Sequence, residues 1–273
     1  MPSSPSVQLY TVRDAISADL QGAVARVAEI GFTKVEPYAF VDRADEFATA
    51  FAASGVTAPS GHAPVIDSAD PARAFDAAIA LGIGTVIDPF IPSDRWQTAD
   101  DARRIADRVN ELQEQAANAG LRFGYHNHNW EFSNQVDGRP IYELFLELLA
   151  PGVVLELDTF WSTVGGADTP ELLTRLGDRV QFLHIKDGKV SGDIASSLPS
   201  SESALVVPDA LQAAFENQTP AGQGDVDVKA VLAAAPHALR VVEFDGYKGD
   251  VFEGIAESFA WLAENDDAAE AGQ

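Results

Sequence analysis

The chain contains no cysteine. Disulfides, thiolate nucleophiles, iron–sulfur clusters and cysteine zinc sites are therefore excluded. Positive charge is also scarce: 18 Lys and Arg stand against 42 Asp and Glu, a formal net charge of −24. Such a surface repels nucleic-acid phosphates and anionic membranes, so neither is expected as a partner. No apolar run approaches the ~20 residues that span a bilayer. The opening Met1-Pro2-Ser3-Ser4-Pro5 lacks a basic segment followed by an apolar core, so a cytoplasmic location is the expectation. The first β-rich run leads into Gln8-Leu9-Tyr10-Thr11-Val12-Arg13-Asp14 without a glycine, where an open dinucleotide-binding sheet would carry its Gly-rich phosphate turn.

What the chain does have is alternation. Short β-rich runs at Val7–Tyr10, Thr33–Glu36, Val56–Ser60, Thr85–Asp88, Leu121–His126, Val153–Leu157, Val180–Ile185 and Leu239–Glu243 alternate with amphipathic stretches at helical spacing. The first helix is expected behind a Ser17 cap and to stop at Gly31. Eight strand–helix pairs in 273 residues, with no hairpin signal between strands, predict an α/β fold: one (β/α)8 TIM-barrel domain over residues 1–273. The connection after the seventh strand, residues 188–222, is far longer than a usual βα loop. It is read as a lid, an insertion or a subunit contact, so a homo-oligomer stays open. Residues 265–273 are read as a flexible tail.

In a barrel the C-terminal ends of all strands open into one bowl. Glu131, Asp158, His184 and Glu243 follow the last four strands. Three carboxylates and an imidazole brought together repel and desolvate one another unless a cation lies among them. The expectation is one divalent metal, Mn²⁺ favoured, with Mg²⁺, Co²⁺ or Zn²⁺ as alternatives. Glu131 lies five residues beyond its strand and must fold back; His126 or His128 could coordinate in its place. His126, His128 and Glu243 are candidates for moving a proton. Lys186 could polarise a carbonyl, or pair with Asp187. Gln8, Glu36, His62 and Trp161 are candidate substrate contacts. Gly222-Gln223-Gly224-Asp225 could present backbone N–H groups to an oxyanion.

These segments, with Gln8–Asp14, His126-Asn127-His128-Asn129-Trp130-Glu131-Phe132, Leu157-Asp158-Thr159-Phe160-Trp161, Leu183-His184-Ile185-Lys186-Asp187 and Val242-Glu243-Phe244-Asp245, resemble the xylose isomerase-like TIM-barrel superfamily, within it the sugar phosphate isomerase/epimerase group. The resemblance implies a single divalent metal on Glu131, Asp158, His184 and Glu243, and a small sugar or polyol substrate. It implies isomerisation or epimerisation through an enediolate. In ketose epimerases the first ligand Glu stands where this chain has His126. That departure resembles the inosose-dehydratase and 3-keto-glycoside-cleaving branches, and a lyase or dehydratase is the alternative.

Overall fold

Eight short strands run in parallel: β1 Ser6–Gln8, β2 Lys34–Glu36, β3 Ser60–His62, β4 Thr85–Asp88, β5 Arg122–His126, β6 Val154–Asp158, β7 Val180–Ile185 and β8 Leu239–Val242. The computed structural model describes residues 4–190 and 214–266. The hydrogen-bonded order is β2-β1-β8-β7-β6-β5-β4-β3. Parallel bridges from Lys34 to Thr57 and from Tyr38 to His62 join its two ends. The sheet thus curls into a nearly closed barrel with helices outside, the TIM-barrel fold that the alternation predicts.

Two local expectations are corrected. The third strand is shifted toward the C-terminus: Val56 and Ala58 only lead into it, because Pro59 has no N–H for a ladder. The pairing with β4 starts at Ser60, and His62 is the strand's last residue. The helix Leu20–Ile30 is capped by Asp19, which accepts from the Gly22 N–H, while Ser17 lies in the preceding turn of helix, Arg13–Ala18. Of the long connection after β7, residues 191–213 lie outside the described residues. Its two ends are zipped by an antiparallel pair, Asp187–Gly188 with Gln218–Thr219.

Strand parity builds the interior. Side chains alternate across a strand, so Val154, Glu156 and Asp158 face one way on β6, and Phe182 and His184, followed by Lys186, do so on β7. Their partners Leu155, Leu157, Leu183 and Ile185 join the main core between strands and helices. Ile87, Val154, Phe182 and Val241 form a separate apolar cluster; it is the plug at the bottom of the barrel. Along β6 and β7, Glu156 and His184 stand one step of parity above that plug, and Asp158 and Lys186 two.

Asp88, the last residue of β4, ties down the chain after β3. One carboxylate oxygen accepts from Val65 and Ile66 N–H, each at 2.7 Å, and the other from Phe90 N–H at 3.3 Å. Burial outweighs these donors and pushes its pKa up to about 6. A carboxyl that holds its proton more tightly when folded favours folding while protonated. That contribution is full below about pH 4 and is lost as pH rises through 6. Asp88→Asn should abolish it. The stability of the natural protein relative to Asp88→Asn should therefore fall by up to about 3 kcal/mol from pH 4 to pH 7. Denaturant titrations of both proteins at the two pH values check this; an unchanged difference would contradict it.

Candidate functional site

Parity brings five ionisable side chains to one level of the barrel: Glu36 from β2, His62 from β3, His126 from β5, Glu156 from β6 and His184 from β7, all buried. Glu156 Oε2 lies 2.6 Å from His62 Nε2, 3.2 Å from His126 Nδ1 and 3.1 Å from His184 Nε2. Glu36 Oε1 accepts from Gln8 Nε2 at 2.8 Å and faces His184 Nε2 at 2.8 Å, and Ser60 Oγ donates to its other oxygen. Burial would raise the Glu156 carboxyl, but His184 and His62 hold it well below the usual carboxylate range. An ionised carboxylate only accepts. The imidazole nitrogens turned toward it must therefore carry protons, which assigns N–H to His126 Nδ1 and His184 Nε2.

The opposite nitrogens of those two rings point up, toward the bowl. His184 Nδ1 is 2.7 Å from Glu243 Oε2, and His126 Nε2 is 3.8 Å from Asp158 Oδ2. One donor atom from each of His126, Asp158, His184 and Glu243 lies within 4.8 Å of the other three. Burial first, then His184, lowers His126 to about 4, so its ring is neutral at pH 7. Burial raises Asp158 to about 6 against the pull of Lys186 and His184. For Glu243 the burial penalty is overcome by Lys186 and His184, and its pKa falls well below normal.

Lys186 reaches into this upper set. Its Nζ lies 2.8 Å from Asp158 Oδ2, 2.7 Å from Glu243 Oε2 and 2.8 Å from Asp245 Oδ2. Burial would lower its pKa, but Asp158, Asp245 and Glu243 raise it well above the usual value. The Lys186–Asp187 pair read from sequence does not form. Asp187 instead accepts from the backbone N–H of Gly188, Gly224 and Val226. The oxyanion expected at Gly222–Asp225 is therefore the chain's own carboxylate. A Cβ on Gly224 would collide with it, which explains the glycine.

The donor set fits a divalent cation. Asp158 Oδ2 is buried and forms no aligned hydrogen bond although the ammonium lies beside it, and Glu156 Oε1 is buried without a partner. Two imidazoles and two carboxylates suit a borderline divalent ion. Glu131 is not brought to this set. It folds back from the short helix Trp130–Ser133, where Tyr125 Oη donates to it at 2.7 Å and His128 N–H at 3.1 Å. Burial pushes its pKa up to about 8.

Above the ions opens a cavity of 620 Å³. Of the residues singled out in the sequence, His62, His126, His128, Trp161 and Glu243 line it, whereas Gln8 and Glu36 face the buried network. His128 stacks on Trp130 with ring centroids 4.5 Å apart, and its Nδ1 is buried without a partner. Burial, then His126 and Lys186, hold its pKa well below normal, leaving it neutral. Trp161 Nε1 donates to Asp245 Oδ2 at 3.0 Å. Sequence reasoning missed Glu156 and Asp245. Glu156 had a signal: a charge inside an apolar strand, two residues before Asp158 and thus on the same face.

A sequence profile for the xylose isomerase-like TIM barrel matches residues 24–264. No curated protein matches the chain. Among solved structures, a sugar phosphate isomerase/epimerase from Parabacteroides distasonis is 22% identical, with TM-score 0.73, covering 95% of this chain and 94% of its own. The IOLI protein with a bound zinc atom is 16% identical, with TM-score 0.71 over 98% of this chain and 100% of its own. The probable 3-DHS dehydratase AsbF from Bacillus anthracis is 13% identical, with TM-score 0.70 over 96% and 99%. At these identities the likeness speaks for the fold.

Proposed function

The chain belongs to the xylose isomerase-like TIM-barrel family, and from that premise and the cluster's geometry we propose that it is a divalent-metal-dependent enzyme that abstracts a proton next to a carbonyl of a small sugar or polyol-derived substrate. The observation that carries this reading is the convergence of His126, Asp158, His184 and Glu243 at the base of the cavity. Those four would hold the ion, with Glu156 and Glu36 accepting the inner N–H groups of the rings and fixing their orientation. Burial would lower the His184 pKa, but Glu156 and Glu243 raise it well above the usual value, so a bound ion would displace the proton from its Nδ1. A bound divalent ion would supply Lewis acidity to a substrate carbonyl and so favour an enediolate. His128 is neutral, lines the cavity and has an unpartnered nitrogen; it takes or returns the proton. Lys186, fully charged, neutralises the negative charge of Asp158, Glu243 and Asp245 next to the reacting atoms.

The same proton abstraction serves isomerisation, epimerisation or loss of a β-leaving group. One observation favours elimination. Among the described residues the upper set holds one glutamate, Glu243, and β5 ends in an imidazole, so these residues do not assemble a pair of metal-bound glutamates for two-sided proton transfer. The reaction test is solvent exchange. With metal supplied, a panel of keto-sugars, inososes and 3-keto-glycosides in D₂O should show deuterium entering next to the carbonyl of at least one member. No exchange across the panel, with metal bound, would contradict the reading.

The fifth-strand ligand is separately testable. Glu131→Gln should leave metal affinity within about two-fold, because its carboxyl serves Tyr125 and His128. His126→Phe should weaken it by about 100-fold or more, since one of four donors is lost. Equilibrium dialysis against Mn²⁺ and Zn²⁺ checks both. The opposite ranking would return the ligand role to Glu131.

A further inference from the structure

The cavity is unusual in how it is walled, and the walls point to the substrate. Six aromatic residues, Tyr10, Tyr38, Phe90, Trp130, Trp161 and Phe215, line it above the ionised cluster. They come in three edge-to-face pairs: Tyr10 with Tyr38 at 5.3 Å, Phe90 with Trp130 at 5.5 Å and Trp161 with Phe215 at 5.5 Å between centroids. Tyr10 and Phe90 are 39% and 41% exposed, so their apolar surface meets solvent at the mouth. A cavity of 620 Å³ lies in the range that encloses drug-sized ligands, about 300–1,000 Å³, and exceeds what one sugar ring fills.

Charge narrows the choice further. Among the described residues, Arg13 is the one Lys or Arg along the cavity wall, against Glu216, Glu243 and Asp245. Its guanidinium donates to the carbonyls of Tyr10 and Asp245 and lies over the Tyr10 ring, 4.4 Å from its centroid. Lys186 is surrounded by three carboxylates. Both cations are engaged by the chain's own oxygens, so a phosphate group entering the upper cavity finds no unengaged Lys or Arg on the described wall to offset its desolvation.

We infer that the substrate is an unphosphorylated, neutral glycoside, its sugar carrying the ketone that the proposed proton abstraction requires, whose aryl or other flat apolar aglycone sits between these aromatic pairs, with the sugar below at His126, His128 and Glu243. This rests on the proposed reading for the sugar's place and adds the class of substrate. Aromatic pairs of this kind contribute beyond area burial, and a wall that offers a phosphate no unengaged cation disfavours phosphorylated sugars.

The test is a binding comparison on the full chain by isothermal titration, with methyl and phenyl β-glycosides of glucose, galactose and xylose and the 6-phosphates of the first two. For at least one sugar the phenyl glycoside should bind about five- to ten-fold more tightly than the methyl glycoside, and each 6-phosphate more weakly than its parent. Tyr10→Ala and Phe90→Ala, both at exposed positions, should erase most of the phenyl advantage without changing the methyl glycoside's affinity. No phenyl preference for any sugar, or a 6-phosphate binding more tightly than its parent, overturns the inference. The comparison needs no turnover. An aryl preference without deuterium exchange would remove the proposed reaction and leave the subsite, whereas exchange without the preference would remove the subsite alone.

Discussion

Lys186→Met should destabilise the metal-free protein by about 3–5 kcal/mol, the usual result of removing one partner from a buried ion cluster. The ammonium stands within 2.8 Å of carboxylate oxygens of Asp158, Glu243 and Asp245, and Lys186 and Asp158 are fully buried. Methionine keeps the unbranched stem, one atom short of the ammonium, but leaves those charges uncompensated. The same change should tighten divalent binding by about ten-fold or more, because two of the proposed ligands, Asp158 and Glu243, no longer share their oxygens with a competing cation. Turnover should fall even so, since the fixed positive charge beside the reacting atoms is gone. Denaturant unfolding with chelator and with Mn²⁺ separates the two effects: the variant should be far weaker with chelator and largely restored by metal. A loss under about 1 kcal/mol in chelator, or weaker metal binding, would contradict this picture of the ammonium.

Much of this arrangement was legible before any coordinates. The alternation of β-rich and amphipathic runs sufficed for the barrel, and the strand-end rule placed Asp158, His184 and Glu243 together. The rest depended on two things that local sequence does not carry. One is the path of the chain just after a strand: Glu131 has the right chemistry but is turned by the helix Trp130–Ser133 toward Tyr125 and His128, and no period or spacing announces that turn. The other is reach across the barrel. Sequence leaves Asp187 open as an alternative partner for Lys186, yet side chains adjacent in a strand face opposite ways, and the ammonium goes to Asp158, Glu243 and Asp245. Strand parity applied to Leu155-Glu156-Leu157-Asp158 would have found Glu156.

Glu156 carries the second large expectation. One of its oxygens faces three imidazoles, and two of those rings present their other nitrogens to the upper set. Glu156→Gln replaces an acceptor-only group with an amide, so one ring can turn over or take the other tautomer. Metal affinity should fall by about 10–100-fold, as for other residues that orient metal-binding histidines, although Glu156 itself is not proposed to touch the ion. Glu156→Asp, which keeps the charge one methylene short, should recover part of the loss. Dialysis against Zn²⁺ or Mn²⁺ measures both. Equal affinity in the natural protein and Glu156→Gln would show that the rings are oriented by something else.

The most direct test of the account is the location of a metal by anomalous diffraction from crystals grown with Mn²⁺. The account requires a single strong peak per chain, within bonding distance of His126 Nε2, Asp158, His184 Nδ1 and Glu243, and no peak in crystals of the paired substitution Asp158→Asn with His184→Ala. A peak at Glu131, or none at all in protein saturated with Mn²⁺, would contradict it.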